Sequence, residues 1–139
     1  MPGVMVWPKR IPVGTVINTP VFTSDYFPTI ASILKVDIKK FNRPYDGMDL
    51  QKVIENGSPA ETEGRYLSFL LQGQAAHIGT RYKIYREKAS ADWQMFDILT
   101  DPNETKDIAS ENAVLLNKLI AEWSFWEKSV KNSAEGKDY

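Results

Sequence analysis

The residues with the clearest capacity for chemistry are His77, which lies beside a turn, and the basic residues Arg81 and Lys83 that follow it. His77 is the only histidine among 139 residues, and imidazole is the side chain that most readily exchanges a proton near neutral pH. Arg81 and Lys83 carry positive charges that could meet an anionic substrate. A histidine near a strand end is also commonly a structural hydrogen-bonding residue, and basic residues that alternate along a strand typically mark its solvated face. The residues alone leave both interpretations open.

No combination of residues forms a recognisable catalytic or metal centre. A Ser-His-Asp triad would have to use His77, but no serine lies in a Gly-x-Ser-x-Gly turn. The lack of cysteine excludes a thiol nucleophile, disulfides and cysteine-based metal sites. Asp46 and Asp49 flank Gly47 without the acidic ladder of an EF-hand loop, so we interpret them as loop-capping residues. We therefore predict no catalytic residue and no metal ligand within this sequence.

The bulk composition is that of an ordinary globular domain. Seventeen basic and eighteen acidic side chains give a net charge of −1, so there is no basic surplus for nucleic-acid binding. No run of eighteen apolar residues occurs, and we expect no membrane span. The first seven residues lack the features of a signal peptide.

The elements that must position these side chains begin with a strand and a helix. Residues 4–7 are apolar and predict a buried strand. Asp25 is a suitable N-cap for a helix over residues 26–34, because Pro28 then falls in the first turn, where its missing N–H breaks no helical hydrogen bond. Helical spacing predicts a core-facing stripe on this helix. Its members are Phe27, Ile30, Ile33 and Leu34. A second short helix is predicted over residues 49–56, ended by Gly57.

The middle and end of the chain predict a sheet covered by a helix. Short apolar runs at residues 65–72, 75–78, 81–87 and 93–98 alternate with turns, which favours an antiparallel meander of about four strands. An amphipathic helix is predicted over residues 111–131, with an apolar stripe. That stripe comprises Leu116, Leu119, Trp123, Trp126 and Val130. The predicted fold class is therefore α+β.

Five phrases, in order, resemble the sulfatase family. The family's corresponding patterns are Trp-Pro-Gly-x-Ile-x-x-Gly, Val-x-x-x-Asp-x-x-Pro-Thr, Asp-Gly-x-Ser-Leu, aromatic-Lys-Leu and Glu-Leu-Tyr-Asp-Leu-x-x-Asp-Pro-x-Glu. This sequence departs from them in having Lys9 after Trp-Pro and Asp49 where serine is common. Here the phrases occupy residues 7–16, 21–30, 46–50, 81–85 and 94–104.

The resemblance implies the C-terminal region of an arylsulfatase-like enzyme, a sulfuric ester hydrolase. Residues 1–48 would then be a strand–helix remnant of the large α/β core, and residues 49–139 the C-terminal subdomain. Sulfatases use a formylglycine made within Cys/Ser-x-Pro-x-Arg and a divalent cation, typically Ca²⁺. That motif is absent here, so both cofactors are expected only in the parent protein, upstream of Trp7, and the fragment is expected to be inactive alone.

The family analogy also makes the turn from His77 to Thr80, with Arg81, a candidate wall of a pocket for a sulfated small molecule or glycan. A periplasmic or secreted parent is implied. Two other functions stay open: a fragment of a related phosphoester or phosphonate hydrolase, and a non-enzymatic carbohydrate-binding or interaction module. The module would stack sugars on Tyr66, Tyr82, Tyr85 or Trp93. We further expect the strand at residues 4–7 to promote self-association, since an unpaired strand edge seeks a partner.

Overall fold

The computed structural model describes residues 3–41, 45–57, 62 and 64–137. The chain divides into two compact units, Met1–Glu63 and Gly64–Tyr139, and each is described by itself. The predicted division after residue 48 refers to subdomains of the parent enzyme and stays a prediction.

The first unit is built from short helices. A 3₁₀ turn at Thr23–Asp25 leads into α1 (Tyr26–Ile33), and a second 3₁₀ turn follows at Ile38–Phe41. Helix α2 spans Gln51–Asn56 and ends at Gly57, which has a left-handed φ of 67°. Glycine adopts this conformation without the steric cost that other residues meet, and it ends the helix as predicted.

The predicted strand at residues 4–7 is wrong. These residues have no regular secondary structure, and Val4 and Val6 are 93% and 82% exposed. A strand needs a neighbour to pair its backbone N–H and C=O groups, and no described segment pairs with this one. Of the predicted strand–helix remnant, only the helix is present.

The predicted core-facing stripe of α1 is also wrong. Phe27, Ile30 and Leu34 are 52%, 54% and 66% exposed, and only the fourth member, Ile33, is half-buried. The opposite side of the helix is buried instead, because its polar residues bond to the loop that precedes α2. The buried residues on that side are Asp25, Pro28, Thr29 and Ala31.

The second unit confirms the predicted meander. Four antiparallel strands pair in the order β1-β2-β3-β4, each within two residues of its predicted bounds. In one cross-strand row Ser68 pairs with His77, His77 with Ile84, and Ile84 with Met95. The strands are β1 (Leu67–Leu71), β2 (Gln74–Ile78), β3 (Tyr82–Arg86) and β4 (Gln94–Asp97).

Helix α3 (Ala113–Ala134) covers one face of this sheet. Leu119 forms a buried cluster with Ile84 and Met95, and Trp123 is also buried. The predicted α+β class is confirmed. Val130, the last residue of the apolar stripe predicted for this helix, is exposed. No helix among the described residues is long and apolar enough to cross a membrane.

Candidate functional site: a buried histidine cluster

His77 lies at the centre of a polar cluster between the sheet and α3. Ser68, its cross-strand partner, places its Oγ 2.8 Å from His77 Nδ1. On the other side of the ring, Nε2 lies 3.7 Å from Oε2 of Glu122, on α3. The ring of Tyr66 stacks on the imidazole, with centroids 4.5 Å apart and planes 10° apart. Residues distant in sequence thus converge on one imidazole.

Burial decides the charge state of this histidine. The side chain is 6% exposed, and burial lowers the pKa of His77 although Glu122 acts in the opposite direction. Nε2 has no hydrogen-bond partner, because 3.7 Å is too long for a hydrogen bond. The imidazole is therefore neutral at pH 7. A proton on Nε2 would face Glu122 and leave Nδ1 to accept a hydrogen bond from the Ser68 hydroxyl.

Tyr66 is held over His77 by the shape of the following turn. A Cβ atom at position 79 would lie 2.6 Å from Tyr66 Cε1 and 2.9 Å from Cζ, so only Gly79 leaves room for the phenol. Burial raises the pKa of Tyr66, and the charge of Glu122 adds to this effect. Because His77 stacks on one face of the Tyr66 ring, that face cannot stack on a sugar, and the predicted use of Tyr66 as a sugar-stacking platform is weakened.

The cluster has the residue types of a catalytic triad without its working geometry. Triad catalysis requires a base hydrogen-bonded to both nucleophile and acid, with the nucleophile accessible to substrate. Here the Glu122 contact is too long and His77 is almost fully buried. The cluster instead links β1, β2 and α3 through polar contacts. Sequence reasoning missed Ser68 and Glu122. The short turn between the first two strands could have indicated the Ser68–His77 pairing, but no local pattern indicates Glu122.

Thr80 and Arg81 lie at the same end of the sheet as His77, at the turn between β2 and β3. Thr80 is half-buried, and the guanidinium of Arg81 is exposed. Arg81 Nε and Nη2 donate to Asp97 Oδ2 at 3.1 and 3.0 Å. Partial burial acts to raise the pKa of Asp97, but hydrogen bonds from Arg81 and Thr100 outweigh it and hold the pKa below its usual range. The role of the three predicted residues in substrate contact stays a prediction.

The phrase at residues 94–104 forms a hydrogen-bonded turn after β4. Asp101 Oδ2 accepts from the backbone N–H groups of Thr105 and Lys106 at 2.7 and 2.9 Å. Lys83 Nζ lies 2.6 Å from both carboxylate oxygens of Glu104. The acidic residues of this phrase therefore hold the backbone and strand β3, which gives a structural reason for their spacing.

Two other phrases meet directly in the first unit. Asp25 accepts from Phe22 N–H through Oδ2 and from Met48 N–H through Oδ1, both at 2.8 Å. Thr29 Oγ1 accepts from Leu50 N–H at 2.9 Å. A Cβ at Gly47 would lie 2.0 Å from the carbonyl oxygen of Ser24, so glycine is required for this approach. We call this contact the Asp25 junction.

Metal-binding geometry is not found among the described residues. No group of three or more His, Asp or Glu side chains in the described ranges could hold an ion. Asp49 Oδ1 accepts from Gln51 N–H at 2.8 Å, which confirms its predicted loop-capping role. The residues described here do not fit a Ca²⁺ centre.

Comparison with solved structures identifies the architecture. Ps i-CgsB superposes with a TM-score of 0.73 at 27% identity over 86% of this chain, and its complex with k-i-k-neocarrahexaose gives the same TM-score at 28% identity. This chain has the fold of part of a sulfatase. BT4656, solved with its substrate D-glucosamine-2-N,6-O-disulfate, matches 91% of the chain at a TM-score of 0.64 and 22% identity.

A Bacteroides fragilis protein classed as a sulfatase, yidJ, has the same fold over 88% of the chain, with a TM-score of 0.60 and 18% identity. The chain spans only 27–28% of the length of these structures. No family model and no curated protein matches the sequence. The predicted resemblance to sulfatases is therefore confirmed by structure, for a partial region of the fold.

Proposed function

We propose that this chain is the C-terminal region of a sulfatase that removes sulfate from a glycan, and that it supplies scaffold and part of the substrate pocket. The observation that carries the proposal is the match to Ps i-CgsB, over 86% of this chain but 27% of the other. The sugar ligands of Ps i-CgsB and BT4656 support a glycan as the substrate class.

The exposed apolar side of α1 gives independent support. A helix in a water-soluble domain normally turns its large apolar residues inward, whereas α1 buries Asp25 and Thr29 and exposes Phe27, Ile30 and Leu34. Removing such side chains from water stabilises by roughly 1.5–3 kcal/mol each. A larger protein that covers this side would recover that free energy.

The catalytic groups would belong to the remainder of that protein. The Cys/Ser-x-Pro-x-Arg motif does not occur in these 139 residues, and the described residues form no metal cluster. We therefore assign no bond-breaking step to this chain. Its contribution is to hold loops in place, through the Asp25 junction in one unit and the His77 cluster in the other.

Sequencing the genomic DNA upstream of the Met1 codon tests the proposal. We expect a sulfatase core with a Cys/Ser-x-Pro-x-Arg motif. A hydrolase core with a Thr or Ser nucleophile and no such motif would favour the phosphoester or phosphonate hydrolase, and the absence of any hydrolase core would favour the binding module. Either outcome would overturn the sulfatase proposal.

An activity assay tests the assignment of catalysis to the remainder. The purified chain, incubated with 4-nitrophenyl sulfate and Ca²⁺, should release no 4-nitrophenol above the buffer rate. Measurable turnover would show that this chain holds a nucleophile of its own, contrary to the proposal.

A further inference from the structure

We propose that Arg86, at the end of β3, forms a subsite for the sulfate group of a sulfated sugar. The subsite lies at the other end of β3 from the turn that carries Thr80 and Arg81. The choice of sulfate among anions rests on the proposed function, whereas the argument for an anion rests on the geometry and charge of Arg86.

The guanidinium lies against two indole rings. Its Cζ is 4.8 Å from the ring centroid of Trp93 and 4.8 Å from that of Trp123. The two indoles meet edge to face, with centroids 5.2 Å apart and planes 65° apart. Trp123 is buried, and its Nε1 donates to the carbonyl oxygen of Phe69 at 3.3 Å. Because these rings are fixed by packing, the cation is held in one place before any ligand arrives.

The charge of Arg86 has no protein counterion in the described part of the chain. Its Nε is buried and makes no hydrogen bond, and none of the described carboxylates forms an ion pair with it. Several other cations of this unit are paired, such as Arg81 with Asp97 and Lys83 with Glu104. Charged groups that leave water usually acquire a partner. An anionic ligand would supply a counterion for this charge.

The surroundings of Arg86 are consistent with a ligand-contact position. The β1–β2 turn and the β3–β4 loop meet at this end of the sheet, since a Cβ at Gly73 would lie 3.6 Å from Ala89 N. Trp93 is half-buried. Glu87, the next residue along the chain, is exposed and forms no ion pair with Arg86 among the described residues.

The planar guanidinium fork matches tetrahedral oxyanions, because two parallel N–H donors can meet two oxygens. A sulfate monoester presents such oxygens and keeps its negative charge at all ordinary pH values. The expected ligand is therefore a sugar sulfate, recognised by its sulfate group.

The test is a titration of the intact chain followed by ¹H–¹⁵N NMR. The probes are D-glucosamine-2-N,6-O-disulfate, unsulfated D-glucosamine and inorganic sulfate. We expect the disulfate to shift the Arg86 side-chain and Trp93 indole signals, and D-glucosamine to leave them unchanged. Shifts of equal size with inorganic sulfate at equal concentration would mean general anion binding and would overturn recognition of a sugar sulfate.

Arg86→Gln should weaken disulfate binding about tenfold or more, because it removes a charge-assisted contact. Arg10→Gln is the matched control, since it removes an exposed arginine already paired with Glu55, and its affinity should stay within about twofold of wild type. Equal losses in both variants would indicate nonspecific charge attraction and would refute the inference.

Arg86 also packs between two tryptophans, so Arg86→Gln could lower stability. Arg86→Lys retains the charge and should bind with intermediate affinity, and the wild-type Arg86 signals give a reading that needs no variant. If the NMR signals of Arg86 do not shift on addition of the disulfate, the inference is refuted. This holds even if a Cys/Ser-x-Pro-x-Arg motif upstream upholds the proposed function. Binding through Arg86 without such a motif would uphold the inference and refute the proposed function.

Discussion

Replacing Asp25 should release the Asp25 junction. Its carboxylate is fully buried and accepts backbone N–H groups from Phe22 and Met48, both at 2.8 Å. In Asp25→Ala both donors lose their acceptor. A part-buried donor left without a partner costs about 1–3 kcal/mol, so the two together cost roughly 2–6 kcal/mol. That is a large share of the 5–15 kcal/mol by which a typical domain is stable.

Amide hydrogen exchange measures this loss at the residues concerned. Because about 1.4 kcal/mol corresponds to a factor of ten, the Met48 amide should exchange at least about 30-fold faster in Asp25→Ala than in wild type. The matched control is Asp37→Ala, which removes an exposed carboxylate that accepts from Lys39 N–H at 3.2 Å and should change stability by less than about 0.5 kcal/mol. Unchanged Met48 exchange in Asp25→Ala would refute the reasoning.

Three further outcomes are expected. Gly79→Ala should displace Tyr66 from His77 and lower the thermal midpoint, measured by circular dichroism, by several degrees. In the control Gly57→Ala the added Cβ meets no neighbouring atom, so this variant should cost only the strain of its left-handed φ of 67°. Equal effects of the two variants would contradict a clash between a Cβ at position 79 and the Tyr66 ring. Because burial lowers the folded-state pKa of His77, the unfolded chain binds its proton first. Urea-unfolding free energy should therefore fall as pH drops below about 6.5, and His77→Gln should flatten that dependence between pH 7 and 5; an unchanged slope would refute it. Finally, the purified chain should self-associate through the exposed side of α1. Phe27→Ser with Ile30→Ser should then reduce the weight-average mass in sedimentation velocity, while Val114→Ser, at a more exposed apolar residue outside α1, should not. A monomer at all concentrations would refute this prediction.

The sheet and α3 were predictable because their signals are local. Alternation of apolar residues, short turns and a stripe at helical spacing each act within a few residues, and the resulting core of Ile84, Met95 and Leu119 follows from burying these faces against each other. The stripe of α1 obeys the same spacing rule, yet the prediction of its buried side was wrong. Spacing identifies the apolar side of a helix, but whether that side is covered depends on what surrounds it.

The candidate sites were less predictable because they depend on convergence. His77 was identified from its residue type, but its burial and its contact with Glu122 depend on how α3 crosses the sheet. Arg86 carried no sequence signal that separates it from other strand arginines. Its distinguishing property is its position against two indole rings, with no counterion among the described carboxylates. The burial of His77 and the surroundings of Arg86 both arise from tertiary packing. Local sequence patterns do not show which distant residues come together in the folded chain.

The two units differ in how they obtain stability. The second unit buries Ile84, Met95, Leu119 and Trp123 almost completely and joins four strands through continuous backbone pairing. Among the described residues of the first unit, the buried apolar ones are few and modest in size, chiefly Ala31, Leu50 and Val53, while larger apolar side chains face outward. Since apolar burial is the dominant favourable term in folding, the first unit depends more heavily on the hydrogen bonds of the Asp25 junction. That dependence is the reason a single carboxylate should have so large an effect there.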